Sequence, residues 1–210
     1  GEVPLVLKLN GKTDIPPDDE AFSPQTASVG DAVRLGADAV GYTLYVGSPA
    51  QDRDILQFAR IREEAERFGM PIIVWAYPRG APMQAKGGRD SQYAVEYAAR
   101  VAHELGADVI KLNMPKRNPE RDTLSPAPYN QLELGEEESL ARVVEAAGRS
   151  LVIISGGEKV DDERLLHRVG VALSVGATGF IFGRNIWQRP FDDALALSQR
   201  IRNALLRYPA

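Results

Sequence analysis

Strand-length apolar runs alternate with helical patterns along the whole chain, and no other feature of the sequence restricts the fold as strongly. Such alternation specifies an α/β fold of βα units stacked on a parallel sheet. Six strands are predicted, at residues 3–9, 39–45, 71–77, 108–112, 150–155 and 178–182. Each is short and nearly continuously apolar, as in parallel sheets covered on both faces. Helices are predicted at 28–35, 50–68, 90–105, 136–147, 161–175 and 192–206. In the second of these, Arg60, Glu63, Glu64 and Arg67 mark a solvent side, whereas Ile55, Phe58, Ala59 and Arg62 form an apolar stripe with one polar edge. A weak repeat precedes three strands: Leu35-Gly36-Ala37-Asp38, Leu105-Gly106-Ala107-Asp108 and Val175-Gly176-Ala177-Thr178. Glycine there suits the left-handed cap that ends a helix before a strand begins. Segments 11–26 and 115–134, rich in proline and polar residues, are predicted to be irregular. Both follow a strand, and in parallel α/β folds the loops after strand carboxyl ends carry function. No linker divides the chain into two domains.

Composition removes several classes of function. The 210 residues are 44% hydrophobic and 26% charged, enough for one sizeable core. A net charge of -4 with no basic tract makes nucleic acid an unexpected partner. Without cysteine there is no disulfide, thiol nucleophile or thiolate metal site, which suits a cytoplasmic setting. No apolar run approaches the roughly 20 residues of a bilayer span and no signal-peptide pattern opens the chain, so no membrane partner is expected. The first residue is Gly1 rather than methionine and a strand follows almost at once, so a missing N-terminal piece is expected.

Polar residues at strand carboxyl ends form a short list: Lys8, Asn10, Tyr45, Trp75, Tyr77, Lys111, Asn113, Ser155 and Arg184. Residues two apart share a strand face, which groups Lys8 with Asn10, Trp75 with Tyr77 and Lys111 with Asn113, and Lys8 and Asn10 are expected to contact substrate. Lys111 is the most informative, because in Val109-Ile110-Lys111-Leu112 a charged side chain loses water for no local gain. Burial and a second cation such as Lys8 both lower the pKa of such an amine, leaving a nucleophile for a carbonyl and hence Schiff-base chemistry. The structural alternative is a lysine neutralised by a buried acid and holding strands together. Tyr77 offers a phenol for proton transfer, or else a core tyrosine with a satisfied hydroxyl. Trp75 reads first as core and second as a stacking group.

Ser155-Gly156-Gly157 ends the fifth strand and Gly183-Arg184-Asn185 the sixth, each ahead of a helical segment. Glycines admit an anion to the backbone and Arg184 can grip phosphate with two donors, so these two ends form a candidate phosphate site, with ordinary turns as the alternative. Arg79, Lys86 and Arg89 flank or occupy a Gly-rich loop at 80–88 and read as solvated charges or as a lid over phosphate. His103 and His167, the only histidines, fall inside predicted helices without partners at ligand spacing, so no metal site and no Ser-His-Asp arrangement is expected. No dinucleotide fingerprint follows the first strand.

The chain resembles the class I fructose-1,6-bisphosphate aldolases of the archaeal type, found also in bacteria. The carriers are Leu7-Lys8-Leu9-Asn10-Gly11-Lys12-Thr13, Ala39-Val40-Gly41-Tyr42-Thr43, Val74-Trp75-Ala76-Tyr77-Pro78-Arg79-Gly80, Gly106-Ala107-Asp108-Val109-Ile110-Lys111, Ser155-Gly156-Gly157 and Gly183-Arg184-Asn185-Ile186-Trp187-Gln188-Arg189. The resemblance implies a Schiff base on Lys111, proton transfer by Tyr77, Trp75 lining the site, and a phosphate cradle of Ser155, Gly156, Gly157, Gly183 and Arg184. It implies sugar-phosphate substrates, no cofactor and a homo-oligomer. Related lysine-dependent synthases of aromatic precursors tend to lack the tryptophan two residues before the tyrosine, so Trp75 favours the bisphosphate aldolase; a non-catalytic paralogue binding sugar phosphates is the third reading. Family members are (β/α)₈ TIM barrels, whereas six βα units are recognisable here, in one domain over 1–210. The first two family strands, the first bearing an acidic Asp-His-Gly motif, have no counterpart, so a fragment or strands from other polypeptide are expected. The 115–134 segment is long where archaeal members turn tightly, and is expected to cap the site or meet a neighbouring subunit.

Overall fold

A computed structural model describes residues 3–208, and in it six strands form one parallel sheet in sequence order. The elements are β1 (Val6–Lys8), α1 (Val29–Arg34), β2 (Ala39–Val46), α2 (Gln51–Phe68), β3 (Ile72–Pro78), α3 (Ala81–Gln84), α4 (Gln92–Glu104), β4 (Val109–Leu112), α5 (Pro119–Asp122), α6 (Glu136–Ala146), β5 (Leu151–Ser155), α7 (Asp162–Ser174), β6 (Gly179–Ile181), α8 (Arg184–Trp187) and α9 (Phe191–Leu205). The sheet curls into a half-barrel with helices along its outer face. Each predicted strand is present, but the first and last are shorter than expected, because β1 and β6 pair on one side only.

Strand alternation sorts core from site. Val40, Tyr42, Leu44 and Val46 of β2 join Phe58, Ile61 and Ala65 of α2 and Val29 and Ala32 of α1 in the main core. Along β3, Ile72, Val74, Ala76 and Pro78 are buried, while Ile73, Trp75 and Tyr77, on the other face, are half-buried. The expectation that both faces are covered holds for β2, which is buried along its whole length, and fails for parts of the inner face elsewhere. On the inner face Val6 is 39% and Leu151 52% exposed, since no described layer covers the concave side there. A smaller cluster of Leu165, Leu197 and Ile201 joins α7 to α9.

The repeat seen in the sequence sets strand register. Gly36, Gly106 and Gly176 adopt φ of 68°, 90° and 94°, and the following alanine N–H returns to the helix, as from Ala107 to the Ala102 carbonyl at 3.1 Å. Asp38 then accepts the Leu5 N–H at 2.7 Å and Asp108 the Ile72 N–H at 2.8 Å, fixing the start of each neighbouring strand. Thr178 makes the equivalent tie by donating to the Val152 carbonyl at 3.0 Å.

The segments expected to be irregular are partly regular. One bridge pairs Asn10 with Gln25, and 3-10 turns form at Asp18–Glu20 and Tyr129–Gln131. Asn118 caps α5 with Pro119 in its first turn. The 115–134 segment packs on residues 84–96 and α6. Arg121 donates to the Gln84 carbonyl at 3.0 Å, and the Tyr129 hydroxyl to Glu96 at 2.8 Å. Glu96, buried on α4, also accepts from Gln92 at 2.7 Å and from the Arg142 Nε at 2.8 Å. A carboxylate with this many donors is worth more than any one pair. Glu96→Gln is expected to cost about 1–3 kcal/mol and to loosen residues 115–134 selectively. Hydrogen exchange checks it: faster exchange near Tyr129 with α2 still protected is the expected pattern, and unchanged exchange near Tyr129 contradicts it.

Candidate active site

Register brings the candidate residues into layers on the inner face. Thr43, Trp75, Lys111 and Ile153 are successive partners across β2 to β5. Tyr77 and Ser155 lie two residues further along β3 and β5, on the same face. Lys8 pairs with Gly41, one layer before Thr43.

Lys111 is 4% exposed, and its partner is a phenol, not a carboxylate: Nζ lies 2.6 Å from the Tyr77 hydroxyl. Burial, followed by the charges of Arg79 and Lys8, lowers the Lys111 pKa to about 8. Burial raises that of Tyr77, so the phenol keeps its proton at neutral pH. With the amine neutral the phenol donates to it; with the amine protonated the direction reverses. The pair is thus a nucleophile joined to a proton carrier.

Lys8 holds its ammonium 5.3 Å from the centroid of the Trp75 ring and donates to the Asn10 carbonyl at 3.0 Å, and burial there lowers its pKa. The indole has room because residue 41 lacks a side chain: a Cβ on Gly41 would lie 2.5 Å from Trp75 Cζ3 and 3.3 Å from Lys8 Cδ. Gly41→Val is therefore expected to displace both groups, cost about 1–3 kcal/mol and weaken substrate binding. Thermal unfolding together with KM checks it; wild-type values of both contradict it.

Asn10 was expected to contact substrate, and the structure gives its amide other work. The residue is 1% exposed; Oδ1 accepts the Thr43 N–H at 2.8 Å, and Nδ2 donates to the carbonyls of Thr43 at 2.8 Å and Ser23 at 3.2 Å. Its amide continues the β1–β2 ladder where β1 has ended, fastening segment 11–26 to β2. Asp54 went unnoticed in the sequence, where it reads as an ordinary acid in a first helical turn. Fully buried, it accepts from the Tyr42 hydroxyl and from the Tyr45 N–H at 2.9 Å, and burial raises its pKa. The signal was its spacing with Phe58, Ile61 and Ala65 on the buried stripe.

The two glycine ends meet. Gly156 N–H donates to the Ile181 carbonyl at 3.0 Å, and a Cβ on Gly156 would strike Phe182 at 2.5 Å. Fully buried Asn185 donates to the carbonyls of Gly156 at 2.9 Å and Glu158 at 3.1 Å and accepts the Val160 N–H at 3.0 Å. Arg184 beside it donates to the Gly157 carbonyl at 3.2 Å. Gly157 adopts φ of 63°. Ser155 shares the inner face with Lys111, one layer further along the adjacent strand. His103 bonds Ser150 at 2.9 Å at the amino end of β5, and His167 lies 3.7 Å from Glu136 on the outer helices. Among the described residues, no group of three or more His, Asp or Glu side chains is placed to hold a metal ion.

A profile described as DeoC/LacD family aldolase matches residues 1–189. The chain belongs to this family. It is 38% identical over 202 residues to the fructose-bisphosphate aldolase class 1 of Thermoproteus tenax, covering 96% of this chain and 67% of that protein. It is 33% identical over 195 residues to the 2-amino-3,7-dideoxy-D-threo-hept-6-ulosonate synthase of Halobacterium salinarum, covering 93% and 64%. Among solved structures it resembles an archaeal fructose-1,6-bisphosphate aldolase with the catalytic Lys covalently bound to the carbinolamine intermediate of the substrate. That match has a TM-score of 0.80 and 36% identity, over 97% of this chain and 71% of the other. The chain spans about two thirds of the length of the curated relatives it matches. The half-barrel is the six-unit counterpart of this family's TIM-barrel-like fold.

Proposed function

We propose that the protein is a class I aldolase that cleaves fructose 1,6-bisphosphate, and makes it in reverse, through a Schiff base on Lys111. The observation that carries this reading is the buried Lys111 amine, its pKa lowered to about 8, bonded to a phenol at the carboxyl end of the sheet. The neutral amine attacks the C2 ketone, and Tyr77 protonates the forming hydroxyl, which leaves as water to give the iminium. Breaking C3–C4 sends the bonding electrons into the iminium while the C4 hydroxyl returns a proton to the Tyr77 phenolate, which later supplies it to the enamine. Glyceraldehyde 3-phosphate departs, and the enamine is protonated at C3. Water then frees dihydroxyacetone phosphate and regenerates the amine. Ser155, Gly156, Gly157, Gly183 and Arg184 are the cradle for one phosphate, and Trp75 and Lys8 line the site beside the amine.

Edges β1 and β6 pair on one side only, whereas a closed barrel has no edges. We read them as docking edges for two further βα units, one carrying the acidic residue of the family's first strand. Glycolytic or gluconeogenic use, a cytoplasmic setting and a homo-oligomer fit the same reading. No described helix is long and apolar enough to cross a membrane.

The test is fructose 1,6-bisphosphate cleavage by the protein at its natural length, followed by coupled reduction of dihydroxyacetone phosphate, with and without a chelator. Cleavage that survives chelation is expected. A metal requirement, or no cleavage by the folded protein, overturns it; condensation without bisphosphate cleavage assigns the chain instead to the synthases typified by its Halobacterium relative.

A further inference from the structure

Segment 11–26 is tied to the end of β3 by a carboxylate that the chemistry above does not use. Asp18 lies 3.0 Å from Arg79 Nε and 2.8 Å from Lys12 Nζ. Burial acts to raise the Asp18 pKa, but Lys12 and Arg79 outweigh it, so the carboxyl titrates below its ordinary range and stays ionised near neutrality. Arg79 is secured a second time, donating from Nη1 to the Pro78 carbonyl at 2.8 Å. Its side chain is only 16% exposed, and the guanidinium carbon lies 5.2 Å from the centroid of the Tyr77 ring. Lys111 Nζ lies 4.8 Å from the same centroid. A planar guanidinium can lie over an aromatic ring while donating in its own plane to two acceptors; an ammonium cannot.

We infer that Arg79, fastened by Asp18, is a positioning residue of this site: its guanidinium fixes the Tyr77 ring and presents a fixed positive charge to the Lys111 amine. The inference rests on the Schiff-base reading and adds to it how the amine is kept reactive. The titratable and charged groups acting on the Lys111–Tyr77 pair are Lys8 from β1, Tyr45 from β2 and Arg79 at the end of β3; Asp18 and Lys12 of the 11–26 segment are joined to the pair through Arg79. Among the described residues, Lys8 and Arg79 are the charges acting on Lys111 directly, and both disfavour its ammonium. Asp18 opposes them in sign, but its bond to Arg79 keeps the guanidinium at the ring rather than in solvent.

Borohydride trapping of dihydroxyacetone phosphate, measured against pH, tests this. Arg79→Gln is expected to move the midpoint for trapping on Lys111 upward by about half to one pH unit, so that trapping at pH 7 falls about 3–10-fold. Arg79→Lys keeps the charge and recovers part of the shift. Asp18→Asn moves the midpoint the same way by less, and Asp18→Glu restores it. A folded Arg79→Gln protein with the wild-type midpoint overturns the inference while leaving the Schiff base standing. Absence of trapping in the wild-type protein brings down the Schiff-base reading itself, so the two failures are distinguishable. If Arg79→Gln does not fold, an unchanged midpoint in both Arg79→Lys and Asp18→Asn overturns the inference equally.

Discussion

Replacing Lys111 by methionine is expected to lower kcat by at least about 10⁴-fold, because the covalent chemistry is carried by its amine and methionine cannot form a Schiff base. The fold should survive. Methionine is close to lysine in length and apolar, and the replaced amine is a nearly buried cation with one hydrogen bond and no carboxylate partner. Exchanging such a group for an apolar one tends to be neutral or stabilising, so the melting temperature should match or exceed that of the wild type. Lys111→Arg should not rescue activity, since a guanidinium does not deprotonate in a protein. The same amine governs pH dependence. With its pKa at about 8, about a tenth of Lys111 is neutral at pH 7, roughly 300 times the fraction for a lysine at the ordinary 10.5. The neutral form attacks, so the rate of Schiff-base formation should rise with pH through about 8 and level above it. Initial rates and thermal melts check all four statements.

Tyr77→Phe is expected to cost about 10²–10⁴-fold in kcat, the usual range for loss of a general acid–base group. Phenylalanine keeps the ring against which Arg79 and Lys111 rest and removes only the oxygen 2.6 Å from the amine. The Lys111 nucleophile remains, so the variant should still be trapped covalently, more slowly, and KM should change far less than kcat. A variant with wild-type kcat would remove Tyr77 from the mechanism. One that lost trapping and folding together would make the phenol structural.

The residues legible in the sequence were those whose neighbours are also their neighbours in sequence. Lys111 stood out because three apolar residues surround it in its own strand, and the register of β3 with β4 places it beside Trp75. The glycine caps at Gly36, Gly106 and Gly176 were legible for the same reason. What escaped depended on contacts between distant segments. Asn10 shares strand parity with Lys8 and so resembled a ligand, yet its amide is spent on a peptide unit 33 residues away. Asp18 and Arg79 are 61 residues apart, and neither sits in a pattern that announces the other. Asn185 follows the arginine that attracted notice, but its bonds to the Gly156 and Glu158 carbonyls exist only once two loops have met. Local pattern located the strands and the reactive amine; the network that orders them required the fold.

Reduction with borohydride in the presence of dihydroxyacetone phosphate at pH 8, followed by peptide mapping, addresses the nucleophile without any assay of turnover. One reduced adduct on the peptide containing Lys111, absent from the Lys111→Met protein, is the predicted result. An adduct on another lysine, or none on a folded protein, would contradict it.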